Sequence, residues 1–263
     1  MPSPVGLRLR TAAAVVLAAM VVAAPAAAQS PSAPPAAPAH FSYEGEDGPA
    51  HWAELDPSYA TCADGSAQSP IDITNPTPAD LVDPVFAYTT GEVNVVNNGH
   101  SVQANAAPGS SVTVDGVEYP LAQVHFHAPS EHRINGLLAP VEAHFVNKTA
   151  DGQITVVGVM IIQGDQPNAA WAPYVNSLGI AEGADQTTQF DWGAMLPAST
   201  LSVRYAGSLT TPPCSEGVHW LILTEPVQLS ADQIEAFAAA HTGNDRPLQP
   251  LNGRPVQVDD TGS

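Results

Sequence analysis

Over most of the chain, apolar and polar residues alternate in short runs broken by Gly, Pro, Asn and Asp, the period of two that half-buried strands require. The pattern predicts strands over 93–96, 111–117, 122–127, 141–147, 154–162, 201–205 and 219–225. Helical spacing is confined to 169–178, after Pro167-Asn168, and to 231–240, where Ser230 stands as N-cap with Glu235 further in. The expectation is a mostly β protein with peripheral helices, built on one extended sheet or a sandwich, with strand order left open.

The first 40 residues follow a different rule. Residues 1–10 carry two arginines and no acid, 11–22 are almost wholly apolar, and Ala26-Ala27-Ala28 precedes Gln29. That order predicts a signal peptide over 1–28, cleaved near Ala28. The apolar run is shorter than the roughly 20 residues needed to cross a bilayer, and Pro25 interrupts its end, so no stable membrane insertion is expected after cleavage. Residues 29–39 are rich in Ser, Pro and Ala and read as a tether, leaving one catalytic domain over 40–260. The expected location is periplasmic or secreted. Export into an oxidising compartment predicts that Cys62 and Cys214 pair, the alternative being two free buried thiols.

Charge removes whole classes of function. Cleavage leaves five basic residues against 26 acidic ones, a net charge of −21, and Lys148 is the one lysine. No basic cluster opposes that field, which excludes nucleic acid as a partner and disfavours anionic membrane surfaces.

The candidate chemistry lies on two of the predicted strands. In 121–127, alternation puts Gln123, His125 and His127 on one face and Val124 and Phe126 on the other. In 141–146 it aligns Glu142, His144 and Val146, and the 13 residues between His127 and Val141 are rich enough in turn formers to make the strands neighbours. Three neutral imidazoles then converge, the donor set of a catalytic Zn2+ site with one position left open. Gln123 and Glu142 each lie two residues from a histidine on its own face, where they can accept its remaining N–H.

These residues, with Gln68-Ser69-Pro70-Ile71-Asp72-Ile73, Asn97-Asn98-Gly99-His100, Ser130-Glu131-His132, Gly207-Ser208-Leu209-Thr210-Thr211-Pro212-Pro213 and Arg246-Pro247-Leu248-Gln249-Pro250-Leu251, resemble the alpha-class carbonic anhydrases of exported bacterial type from about His40 to Val258. The resemblance implies a large twisted, mainly antiparallel central sheet with peripheral short helices. It also implies zinc on His125, His127 and His144, and reversible hydration of carbon dioxide to bicarbonate and a proton by attack of zinc-activated hydroxide. Carbonic anhydrase is itself the standard illustration of how zinc acidifies water. By the same resemblance, Thr210 would orient the nucleophile while donating to Glu131. Val146, Val156, Leu209, Thr211, Val218 and Trp220 would line the carbon dioxide pocket. His100 would shuttle protons to buffer, with Tyr43, Asn98 and Gln103 ordering the water path; Gln103 stands where many members carry asparagine. A Cys62–Cys214 bridge and a cis peptide before Pro213 are implied as well. Monomer and homodimer both remain open. His40, His51, His132, His219 and His241 are expected to be structural or surface residues.

Two other functions compete. A non-catalytic binding module on the same fold would typically have lost zinc ligands, and all three are present. A zinc ester hydrolase would want room for an acyl group, against which the valine-lined wall argues.

Overall fold

The structure is a computed structural model that describes residues 39–259, together with 1–3 and 6. The expected signal peptide, those four positions apart, and the tether up to residue 38 lie outside the described residues. The strands are β1 (Asp72–Ile73), β2 (Thr77–Ala79), β3 (Val85–Ala87), β4 (Thr90–Asn97), β5 (Val102–Ala106), β6 (Ser111–Val114), β7 (Val117–His127) and β8 (Arg133–Ile134). They continue with β9 (Val141–Lys148), β10 (Ile154–Gln163), β11 (Asp185–Asp191), β12 (Ser202–Ser208), β13 (Glu216–Leu223), β14 (Val227–Leu229) and β15 (Gln257–Asp259). Among the described residues four short α-helices accompany them: α1 (Trp52–Leu55), α2 (Thr61–Asp64), α3 (Ala172–Ser177) and α4 (Ala231–Ala240).

Among the described residues, thirteen strands form one sheet whose main path runs β11-β4-β5-β7-β9-β10-β13-β12-β15-β2. It is mixed but mainly antiparallel, with parallel pairing of β10 to β13 and β14 and of β15 to β2. The expected fold class is therefore found. The run expected as one strand over 111–117 is two: Asp115 and Gly116 adopt φ of 50° and 80°, so the chain reverses there and Val117 opens β7. Asp-Gly is the turn pair that favours such a hairpin, and the apolar run through it hid the break. The helix expected over 169–178 narrows to α3. Ser230 caps α4 as expected, through a reciprocal box with Gln233.

The central strands have two working faces. Val124 and Phe126 of β7 and Val141, Ala143 and Phe145 of β9 point into the larger core, under α3 and α4, with Trp171, Tyr174 and Phe237. A second cluster of Ile71, Val156, Met160, Tyr205, Val218, Trp220 and Ile222 lies apart from it. A bulge between Leu121 and Gln123 shifts the β7–β9 register, so Leu121 joins the first core although strict alternation would place it with the histidines.

Cys62 and Cys214 are joined, as expected, tying α2 to the segment before β13 across 152 residues of sequence. The peptide before Pro213 is cis, and so are those before Pro70 and Pro129. Among the described residues no helix is long and apolar enough to cross a membrane.

Closing so long a loop restricts the unfolded chain. Replacing both cysteines by serine is expected to lower unfolding free energy by about 5 kcal/mol in the chain-entropy model. Urea unfolding of the oxidised protein and the double variant measures the difference; a change below about 1 kcal/mol would mean the bridge does little for the fold.

Candidate metal centre

The register of β7 against β9 builds the site. His125 lies opposite His144 and His127 opposite Glu142, so the alternation in each strand delivers three imidazoles to one face. Ring centroids are 5.1 Å apart for His125 and His127, 5.2 Å for His125 and His144, and 4.7 Å for His127 and His144. One nitrogen from each lies within 4.8 Å of the others.

Each ring is oriented through its other nitrogen. His125 donates from Nδ1 to Gln123 Oε1 at 2.8 Å, which leaves Nε2 free to ligate. His144 donates from Nε2 to Glu142 Oε1 at 2.8 Å, which leaves Nδ1. His127 donates from Nδ1 to the carbonyl of Asn244 at 2.6 Å, which leaves Nε2. Two of these three acceptors were legible from the strand alternation. The third was not, because a backbone carbonyl 117 residues away carries no side-chain signal.

Burial holds all three rings neutral. It depresses His125 well below 6.5 with help from His127 and His144, brings His127 down to about 3, and lowers His144 despite Glu142. Burial would raise Glu142, but its electrostatic interaction with the rings of His132 and His144 and the hydrogen bonds from both outweigh it and hold this carboxylate well below its usual range. Glu131 goes the other way: burial raises it strongly, against hydrogen bonds from Thr210 and the backbone of Arg246. Its Oε1 accepts Arg246 N–H at 2.9 Å, while Oε2 has no partner of good geometry and lies 3.4 Å from His127 Nε2.

Five of the residues expected to line the pocket, Val146, Val156, Leu209, Val218 and Trp220, lie in one apolar cluster next to His144. Val156 pairs with Val146 on one side and Trp220 on the other, and Val218 and Leu209 belong to the same apolar cluster. Trp220 also packs edge-on against His144 at 4.8 Å. Thr211 lies outside that cluster, in the turn that carries Thr210, where its carbonyl accepts Cys214 N–H.

His100 is half-buried, stacked on Phe41 at 3.9 Å with the rings 9° from parallel. Tyr43 lies edge-on to it at 6.5 Å, and burial, then Glu131 and Asp245, push its hydroxyl pKa well above the usual value. The Asn98 carboxamide oxygen is taken up by the backbone N–H groups of His100 and Ser101, both at 2.9 Å, so this side chain holds the turn. Gln103 donates its amide to Asn105 at 2.6 Å. Sequence reasoning missed Phe41 as the platform for His100. It also missed that buried His132 extends the Glu142 hydrogen bonds to Tyr205.

The family model described as eukaryotic-type carbonic anhydrase matches residues 47–260. The chain belongs to that family. The carbonic anhydrase of Pectobacterium carotovorum is 43% identical over 217 residues, covering 82% of this chain and 89% of that protein. That of Neisseria gonorrhoeae is 39% identical over 220 residues, covering 82% and 87%. Among solved structures, the alpha-carbonic anhydrase of Thermovibrio ammonificans, determined with the inhibitor sulfanilamide, superposes with a TM-score of 0.81 at 41% identity and covers 84% of this chain and all of that one. The chain is thus a carbonic anhydrase, a carbonate dehydratase, and its three-histidine cluster is that of the family's zinc site.

The residues present fit zinc on their own chemistry. His127 Nε2 is fully buried without a hydrogen-bond partner. Leaving such a group unsatisfied costs about 1–3 kcal/mol, a cost a ligated cation removes. Three neutral nitrogens, each fixed from behind by an acceptor, match what zinc selects.

Replacing Glu142 by Gln removes the carboxylate that orients His144 while keeping its shape. Zinc affinity of this carbonic anhydrase is expected to fall about 10- to 100-fold, measured by competition with a chromophoric chelator. Unchanged affinity would show that the His144–Glu142 bond does not support the metal.

Proposed function

We propose that this carbonic anhydrase hydrates carbon dioxide through a division of labour between the two sides of its cleft. Zinc, when bound, supplies a Lewis acid that makes water nucleophilic at neutral pH. Thr210, buried next to the buried carboxylate of Glu131, aims the nucleophile by accepting a hydrogen bond from it while donating its own hydroxyl hydrogen bond to Glu131. Val146, Val156, Leu209, Val218 and Trp220 offer a dry surface to an uncharged substrate, with Thr211 at the edge of the same turn. Bicarbonate leaves by the same route. The observation that carries this reading is the convergence of the three oriented histidines beside that apolar wall.

Each turnover of hydration releases a proton, which must leave the cleft. His100 takes it to solvent, its backbone fixed by Asn98 and its ring resting on Phe41, with Tyr43 and Gln103 flanking the path. Burial and the neighbouring His40 and His241 lower the His100 pKa from 6.5, so the ring stays free to accept a proton at neutral pH.

The start of the chain reads as an export signal over 1–28 and a tether over 29–39 ahead of the catalytic domain, placing the enzyme in the periplasm or outside the cell. The joined cysteines and the bacterial relatives support that location.

Stopped-flow carbon dioxide hydration tests the reading. Activity should vanish on chelation and return with zinc, and Thr210→Ala should lower kcat/KM about 10²-fold with zinc still bound. His100→Ala should lower kcat in weak buffer, leave kcat/KM unchanged, and recover when imidazole is added. A zinc-loaded, folded protein without hydration activity would overturn the proposal, and a His100→Ala variant with full kcat in weak buffer would overturn the shuttle.

A further inference from the structure

The loop between α3 and β11 is latched onto the turn that carries His100. Gly183 N–H donates to the Asn97 carbonyl at 2.8 Å, Asn97 N–H to the Ala184 carbonyl at 3.2 Å, and the Asn97 side-chain amide to the Ile180 carbonyl at 3.0 Å. The Asn97 carboxamide oxygen in turn accepts Gly99 N–H at 3.1 Å and lies 3.2 Å from His241 Nε2. On the other side of the turn, the Asn244 amide donates to the His100 carbonyl at 3.0 Å. The latch lays the Glu182 carboxylate directly over Gly99: a Cβ on that glycine, whose φ is +85°, would stand 2.9 Å from Glu182 Oε1. A side chain here would displace the carboxylate, so the Asn-Gly-His order of the turn leaves room for an acid over the residue before His100.

We propose that Glu182 is a positioning residue for proton transfer: its carboxylate, which the latched loop brings over Gly99, is the anionic neighbour that favours proton uptake by His100. The proposal deepens the shuttle reading above and rests on it. Three imidazoles, His40, His100 and His241, gather at this rim, with His40 5.7 Å from His100 between ring centroids. Any two of them charged at once repel, and burial opposes the charged form of His100 as well, so without a nearby anion the shuttle would give up its proton too easily to take one from the cleft. The charges acting on His100 are those of His40 and His241, which oppose protonation, and of Glu182, which favours it; Glu182 acts on His241 in the same sense. Tyr43, edge-on to His100, is neutral at the working pH.

The test uses the mature, zinc-loaded enzyme and Glu182→Gln, with Asp165→Asn, an exposed acid elsewhere, as a control that removes the same net charge. NMR titration of the His100 ring should show its midpoint displaced downward in Glu182→Gln, more in 10 mM than in 0.5 M salt, and unmoved in Asp165→Asn. Hydration kcat in weak buffer should fall about two- to fivefold in Glu182→Gln, the range an exposed ion pair commands, with kcat/KM unchanged and recovery on adding imidazole. Restoring the carboxylate one carbon shorter, Glu182→Asp, should recover part of both effects. A His100 midpoint equal in Glu182→Gln and the parent, or moved equally by Asp165→Asn, would overturn the proposal. If His100→Ala itself leaves kcat unchanged in weak buffer, the shuttle reading fails instead, whatever the titration shows.

Discussion

The site depends on one carboxylate that would be intolerable alone. Glu142 has no solvent exposure, and an unpaired charge at such depth costs several kcal/mol. It is accommodated by four hydrogen bonds: Oε1 takes the rings of His132 and His144, and Oε2 takes the backbone N–H groups of Glu131 and His132. Those bonds define the geometry around it. One fixes the ring that ligates through Nδ1, two pin the loop that carries Glu131, and the fourth passes through His132 to Tyr205. From Tyr205 the chain of polar contacts continues to Ser69 Oγ, which accepts Ser208 N–H at 3.0 Å. Ser208 stands two residues before Thr210. The metal ligand and the residue proposed to aim the nucleophile are thus referred to the same buried framework, as preorganised catalysis requires.

Room for that framework comes from residues that have little to contribute themselves. A Cβ on Gly158 would stand 3.1 Å from Glu142 Oε1 and 2.5 Å from Ile222 Cδ1. One on Gly207 would meet Ser69 Oγ and would lie 2.8 Å from Trp220 Cδ1. Behind the sheet, the packed aromatic side chains of α3 and α4 fix β7 and β9 against each other. Large cores hold strand register because a slip of one residue would turn every inward side chain outward. The register that places His125 opposite His144 is therefore kept by Phe126 and Phe145, which never touch the metal.

Local alternation made much of this legible. Gln123, His125 and His127, and Glu142, His144 and Val146, share faces because period two is a property of the backbone. The limits of that rule are equally local. The bulge at Gln123 moves Leu121 to the opposite core, and alternation read back from His127 crosses it without warning. The Asp115-Gly116 reversal sits inside a run of β-formers. What could not be read were contacts between groups far apart in the sequence: the Asn244 carbonyl behind His127, the π-face of Phe41 under His100, and the carboxylate of Glu182 over Gly99. Each joins segments more than 50 residues apart through loops, and the partner is chosen by topology.

The acidic character of the chain acts differently at these two depths. Twenty-six acids against few bases make a strong average field, but at physiological salt exposed charges beyond about 8 Å are largely screened. Such a field neither reaches the buried histidines as a specific force nor distinguishes one rim imidazole from another. Inside, burial keeps His144 neutral against the pull of Glu142, whose hydrogen bond orients the ring. At His100, partial burial and the neighbouring imidazoles oppose protonation, and a carboxylate that the loops place within a screening length favours it. A protein this rich in acid therefore still has to position one of them with a backbone latch when a particular imidazole must be tuned, and the latch between 180–184 and Asn97 has that form.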